Sequence, residues 1–131
     1  MSVARRALAL LLVAREDVAA TRLLANAGNR NAIYLCQQAA EKLIRARLAQ
    51  RGVDATREHH LRVLVDLLPG DDPWRTRLAP LDRLSPFATT YRYPTPGGRV
   101  PESPPADVVL TEAAAIEALI ADLEREFDPR P

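Results

Sequence analysis

Hydrophobic positions recur along most of this chain at the three-and-four spacing of amphipathic helices, and nowhere do they keep the alternation of strands. Residues 3 to 27 form a predicted first helix, with Ala7, Leu11, Ala14 and Val18 on one face and Leu8, Leu12 and Ala19 flanking it. Gly28 and Asn29 supply its stop. A second helix is predicted from about Asn31 to Gln50, ended by Gly52, and a shorter third from about Glu58 to Leu68. The third turns Leu61, Leu64, Val65 and Leu68 inward, with Thr56 as its N-cap. Pro69-Gly70 interrupts the pattern, and Asp72-Pro73 restarts it as cap and first helical residue. The fourth segment runs to about Tyr91, and Pro80 and Pro86 inside it predict a kink or a split. Residues 93 to 106, with five Pro and two Gly, exclude regular structure. Thr111 then caps a last predicted helix reaching about Phe127, with Ile116, Leu119, Ile120 and Leu123 on its core face. The expected architecture is all-α: an up-and-down bundle of four to five helices making one domain over residues 1–131.

The second helix is atypical. Its apolar arc, Ile33, Leu35, Cys36, Ala39, Ala40, Leu43, Ile44 and Leu48, is about 220° wide. Such a helix is either central in its own bundle or lies under a partner subunit. Gln37 and Arg47 fall on the apolar side and must each reach a hydrogen-bonding partner, across the bundle or across an interface, because an unpartnered polar group is costly there. Tyr34, Gln38, Glu41, Lys42 and Arg45 share the remaining polar strip, with Glu41 and Arg45 spaced four apart as an ion pair.

Composition supports the helical reading and narrows the chemistry. The chain has 131 residues and is 47% hydrophobic but only 5% aromatic. Its apolar content is mostly Ala and Leu, residues that lose little freedom in helices. A net charge of +1 gives no strong field toward polyanions, so any contact with nucleic acid must come from a local patch. Lys42 is the only lysine among 18 basic residues. Cys36, alone and on the apolar stripe, excludes an intrachain disulfide and a cysteine-rich metal cluster. Arg5-Arg6 before the short apolar run from Ala7 to Ala14 imitates a targeting signal, but Arg15-Glu16-Asp17 ends it where a cleavage site should lie. No stretch is long enough to span a membrane, and the expected location is cytoplasmic.

Gln37-Gln38-Ala39-Ala40-Glu41-Lys42, followed by Arg45-Ala46, resembles the signature second helix of the HEPN domain family. Asp17, within Ala14-Arg15-Glu16-Asp17-Val18, resembles the acidic residue of that family's first helix. His59-His60-Leu61 resembles its His-x-Leu opening of the third, and Arg92-Tyr93-Pro94 the Arg-Tyr-Pro closing the fourth. The resemblance implies a helical bundle, commonly a homodimer, linked to nucleotide or RNA binding. It further implies, for minimal members, a minimal nucleotidyltransferase partner in a toxin–antitoxin-type pair.

Three function classes follow. An RNA-cleaving toxin of this family uses an Arg followed, after four to six intervening residues, by a His. Here seven residues intervene between Arg51 and His59 and eight between Arg51 and His60, one and two follow Arg57 before the same histidines, and no His follows position 60. The motif is absent, so no catalytic residue is assigned. On the third helix His60 is expected to point toward Val63 and Leu67 at the core edge, and His59 toward solvent with Arg62 and Asp66. Neighbouring histidines diverge on a helix and no ligand partner sits at metal spacing, so neither a metal nor a cofactor is expected. A non-catalytic nucleotide- or RNA-binding module would draw on Lys42, Arg45, Arg57, His59 and Arg92 for anion contacts and on Tyr34 and Tyr91 for stacking. Lys42 could equally pair with a first-helix carboxylate such as Glu16 or Asp17, and Arg92 could lock the loop by binding helix-terminal carbonyls. A protein-interaction subunit, dimeric through the second helix, is the third class and is compatible with the second.

Overall fold

The computed structural model describes residues 2–55 and 57–127. It contains α1 (Val3–Asn26), α2 (Ala32–Gln50), α3 (Leu61–Asp66), α4 (Pro73–Leu78), a 3-10 segment (Ala79–Ala88) and α5 (Ala106–Arg125), with no strand among the described residues. The Thr56 cap lies outside the described residues.

Local chemistry sets the boundaries. Ser2 caps α1 by accepting from the Arg5 N–H at 3.1 Å. Gly28 and Gly52, both at φ 70°, end α1 and α2 in the left-handed conformation. In each, the glycine N–H donates to the carbonyl three residues back and the next N–H donates to the one five back: Asn29 to Leu24, Val53 to Leu48, both at 2.8 Å. The Ala27–Asn31 turn is therefore tight, and α2 returns antiparallel along α1. Arg15–Glu124 and Arg22–Glu117 bridges place α5 antiparallel to α1 as well.

Three boundaries differ from expectation. The third helix begins at Leu61, not Glu58, because the Glu58 carboxylate bends forward to accept the His59 and His60 N–H groups and keeps His60 extended. The fourth segment splits as its prolines predict, α4 ending at Leu78, but the stretch holding Pro80 and Pro86 continues as a 3-10 helix only to Ala88, short of Tyr91. The last helix starts at Ala106, directly after Pro104-Pro105. Thr111 lies inside it, its hydroxyl donating back to the Asp107 carbonyl at 2.9 Å.

The core is aliphatic and continuous. Ala7, Leu11, Ala14 and Val18 of α1 meet Leu43, Ile44 and Leu48 of α2 and Ile116, Ile120 and Leu123 of α5, with Leu61, Leu64 and Leu78 closing one side. No residue from Ala32 to Gln50 is exposed. The wide apolar arc of α2 is thus filled by the chain's own helices. Arg47 reaches across the bundle to buried Asp72, with Nη2 at 3.0 Å and Nε at 3.2 and 3.3 Å from its oxygens. Asp72 also caps α4 by accepting from Trp74 N–H at 2.8 Å.

Candidate functional site

The polar strip of α2 forms the floor of one face, bordered by the residues leading into α3 and by the chain leaving the 3-10 segment. Tyr34 is half-buried, and the Arg92 guanidinium lies over its ring at 4.2 Å from the centroid. Tyr93 flanks the same guanidinium at 5.5 Å. Two turns along, about 10 Å at the helical rise, Glu41 is buried and its Oε2 is shared by Arg45 Nε and His59 Nδ1, both at 3.1 Å. Arg45 also donates through Nη2 to the Glu58 carbonyl.

The sequence-derived candidates separate into two groups. Lys42 Nζ lies 2.7 Å from Asp17 Oδ2 and 3.3 Å from Gln38 Oε1, so its ammonium is already neutralised by α1. Arg45 is likewise committed within the fold. Tyr91 is half-buried and packs on Phe87 at 4.7 Å between ring centroids, which removes it as an open stacking surface. Arg92, Arg57 and His59 are exposed. Neither Arg92 nor Arg57 has a carboxylate partner among the described residues, whereas Arg62, Arg75, Arg77 and Arg83 each end on an acid. The expected loop-locking role falls to Arg30 instead, which donates to the Tyr91 carbonyl and to the Pro101 carbonyl at 2.8 Å. Sequence reading missed Arg30, since nothing in its neighbourhood signals a partner some seventy residues away. It missed Tyr93 too, although that ring stands inside the quoted Arg-Tyr-Pro.

His59 faces solvent as expected, but both histidines precede α3 rather than lying on it. His59 precedes α3 and its side chain is 71% exposed, with only Nδ1 held by Glu41. His60 occupies the N-cap position, and it, Val63 and Leu67 are exposed rather than at the core edge. Its Nδ1 stands 3.7 Å from Asp82, in a cleft of about 490 Å³ that Ser85, Thr89 and Thr90 also line. Ser85 Oγ donates to Asp82 at 3.1 Å and accepts from Leu61 N–H, so this trio braces the start of α3 and has no imidazole positioned on the serine. Two buried polar atoms lack partners among the described residues: Gln37 Nε2 and Glu41 Oε1, one helical turn apart under the same strip. Gln37 Oε1 accepts from Gln38 at 2.8 Å. Among the described residues no cluster of three His, Cys, Asp or Glu could hold a metal ion, and no helix is long and apolar enough to cross a membrane.

The described residues form an all-α bundle with a basic and aromatic face. The family model for the HEPN domain matches residues 7–124, and the chain belongs to that family. No curated protein and no solved structure matches it.

Proposed function

We propose that this chain is a non-catalytic nucleotide- or RNA-binding module that receives its ligand on the Tyr34–Arg92–Tyr93 face. The observation that carries the reading is Arg92: an exposed residue whose guanidinium lies over the Tyr34 ring and lacks a carboxylate partner among the described residues. Stacked this way it keeps donors available for a phosphate, and Tyr93 beside it offers a ring to a base. Arg57, exposed and two residues before the His59 that borders this strip, adds a further cation, while the absent Arg–His spacing argues against cleavage. Membership of the HEPN family supports a nucleotide- or RNA-related role.

A titration with a fluorescent nucleotide and with single-stranded RNA tests this. Arg92→Ala is expected to weaken binding about tenfold or more and to reduce the salt dependence, while Lys42→Ala, whose charge is spent on Asp17, leaves affinity nearly unchanged. Equal affinity in wild type and Arg92→Ala would sink the site. RNA cleavage that disappears in His59→Ala would overturn the non-catalytic reading. The family resemblance further supports pairing with a minimal nucleotidyltransferase in a toxin–antitoxin-type system, tested by co-purification of the product of an adjacent gene.

A further inference from the structure

We infer that residues 92–100 are a pre-ordered arm carrying a second phosphate contact, Arg99, so that the ligand is a strand of single-stranded RNA rather than a mononucleotide. This rests on the reading above, in which Arg92 meets a phosphate. The stretch contains no helix or strand, yet its backbone is closed at both ends. At the tip the Gly98 N–H donates to the Thr95 carbonyl at 2.8 Å and the Thr95 N–H to the Arg99 carbonyl at 2.7 Å. The Arg99 N–H completes the ring by donating to the Thr95 hydroxyl at 3.0 Å. Pro96 at the first corner and Gly98 at φ 82° suit this three-residue hairpin connection.

At the neck, the Arg30 guanidinium joins the two limbs, donating to the Tyr91 carbonyl on one and to the Pro101 carbonyl on the other. That guanidinium is spent on backbone, so Arg30 is a positioning residue and not a ligand contact. A loop fixed at neck and tip has less freedom left to lose when a ligand settles on it.

The arm presents two cations with a ring between them in the chain. Arg92 and Tyr93 lie on the outgoing limb and Arg99 on the returning one, and all three are exposed. Elsewhere from residue 62 onward, Arg62, Arg75, Arg77, Arg83 and Arg125 each end on a carboxylate. The two arginines of the arm have no such partner among the described residues. Glu102, the one acid between Arg92 and Pro105, falls outside the neck. The two cations are also held apart. The Arg92 guanidinium is turned back onto Tyr34 of α2, whereas Arg99 stands opposite Thr95, three residues further out, about 10 Å at an extended rise. Guanidiniums so placed suit successive phosphates of a strand, with Tyr93 available to the base between them.

Binding of a short labelled uridine oligonucleotide and of a labelled mononucleotide, each measured across a range of salt, decides the matter, with thermal melting as the fold control. Arg99→Ala is expected to weaken the oligonucleotide about tenfold and to lower its salt slope by about 0.7, one single-strand phosphate contact, leaving the mononucleotide unchanged. Arg92→Ala should weaken both ligands. Arg30→Met should weaken the oligonucleotide several-fold with the wild-type slope, because the contacts survive and only their ordering is lost. Oligonucleotide binding indifferent to Arg99→Ala but weakened by Arg92→Ala would overturn the second contact and leave the Arg92 site standing. Indifference to both would overturn that site as well. An equal loss for mononucleotide and oligonucleotide in Arg99→Ala would put both arginines on one phosphate and refute the strand. A slope lowered in Arg30→Met as in Arg99→Ala would refute the role of Arg30 as a clasp.

Discussion

At the scale of single residues, two guanidiniums show how environment assigns a role that residue type alone leaves open. Arg47 is 5% exposed, and Asp72, 3% exposed, meets it with both oxygens while Glu126 takes its Nη1 at 3.0 Å. Removing either Arg47 or Asp72 leaves the other with only its lesser partner in a low-dielectric interior. Arg47→Ala is therefore expected to cost about 3–5 kcal/mol in chemical denaturation. Asp72→Ala should cost at least as much, since it also uncaps α4 and takes the carboxylate from Arg51, whose Nη1 lies 3.4 Å from Oδ2. A double-mutant cycle far from additive would confirm the coupling, and additive losses would refute it. That Arg47 needed a partner was legible in the sequence, because a charge on an apolar arc is a conflict. That the partner lay across the bundle was not, since the spacing between them says nothing about which helices touch. Arg92 is the converse: its position was legible, but its stacking on Tyr34 depends on how the 3-10 segment delivers the chain back to α2.

At the scale of elements, the helices whose ends are set by glycine were readable and those set by competing side-chain bonds were not. Gly28 and Gly52 end α1 and α2 within a residue of the expected place because only glycine adopts φ 70° without strain. Gly52→Ala should therefore cost about 1 kcal/mol. A Cβ there meets nothing within 4 Å, so the loss is conformational and measurable as a lowered midpoint without change in m-value. An unchanged midpoint would contradict the left-handed assignment. Thr111 and Glu58 illustrate the opposite case. A threonine hydroxyl can cap the helix that follows or bond the carbonyl four residues behind it, and Thr111 does the second. Glu58 looked like a first-turn residue but instead folds onto the two N–H groups that follow and delays α3. Both outcomes rest on bonds equal in sequence terms, decided by where Pro104-Pro105 and Ser85 hold the chain.

At the scale of the whole molecule, the candidate face exists because α2 is enclosed by its own chain, leaving a narrow polar strip as its route to solvent. Surface carboxylates set the acid edge of the pH range of stability. Backbone N–H donors from His60 and then His59 hold the Glu58 carboxyl below the usual range, and Arg22 does the same for Glu117. Arg75 and Arg62 hold Asp66 down, and Arg77 with Arg125 holds Asp122 down. These contributions are present above the ordinary carboxylate values and are lost as pH falls through the depressed ones, so stability declines below about pH 4.5. The decline is shallow, because these groups are solvent-screened. The alkaline side has a different origin. Burial on the core face of α2 pushes the Cys36 thiol up to about 12 from 9.0. Its raised value means full stability below the unfolded value and loss as pH rises toward the folded one, about 1.4 kcal/mol by pH 10. Thermal unfolding at pH 7 and pH 10 should show that loss in wild type and a smaller one in Cys36→Ala. The same burial predicts that native protein resists a thiol reagent at pH 8 and reacts only as fast as it opens, since the thiolate is the reactive form. Rapid labelling of folded protein, or an alkaline decline as large in Cys36→Ala as in wild type, would count against the enclosure of α2 around Cys36, and the strip from Tyr34 to Arg45 would then need a different boundary.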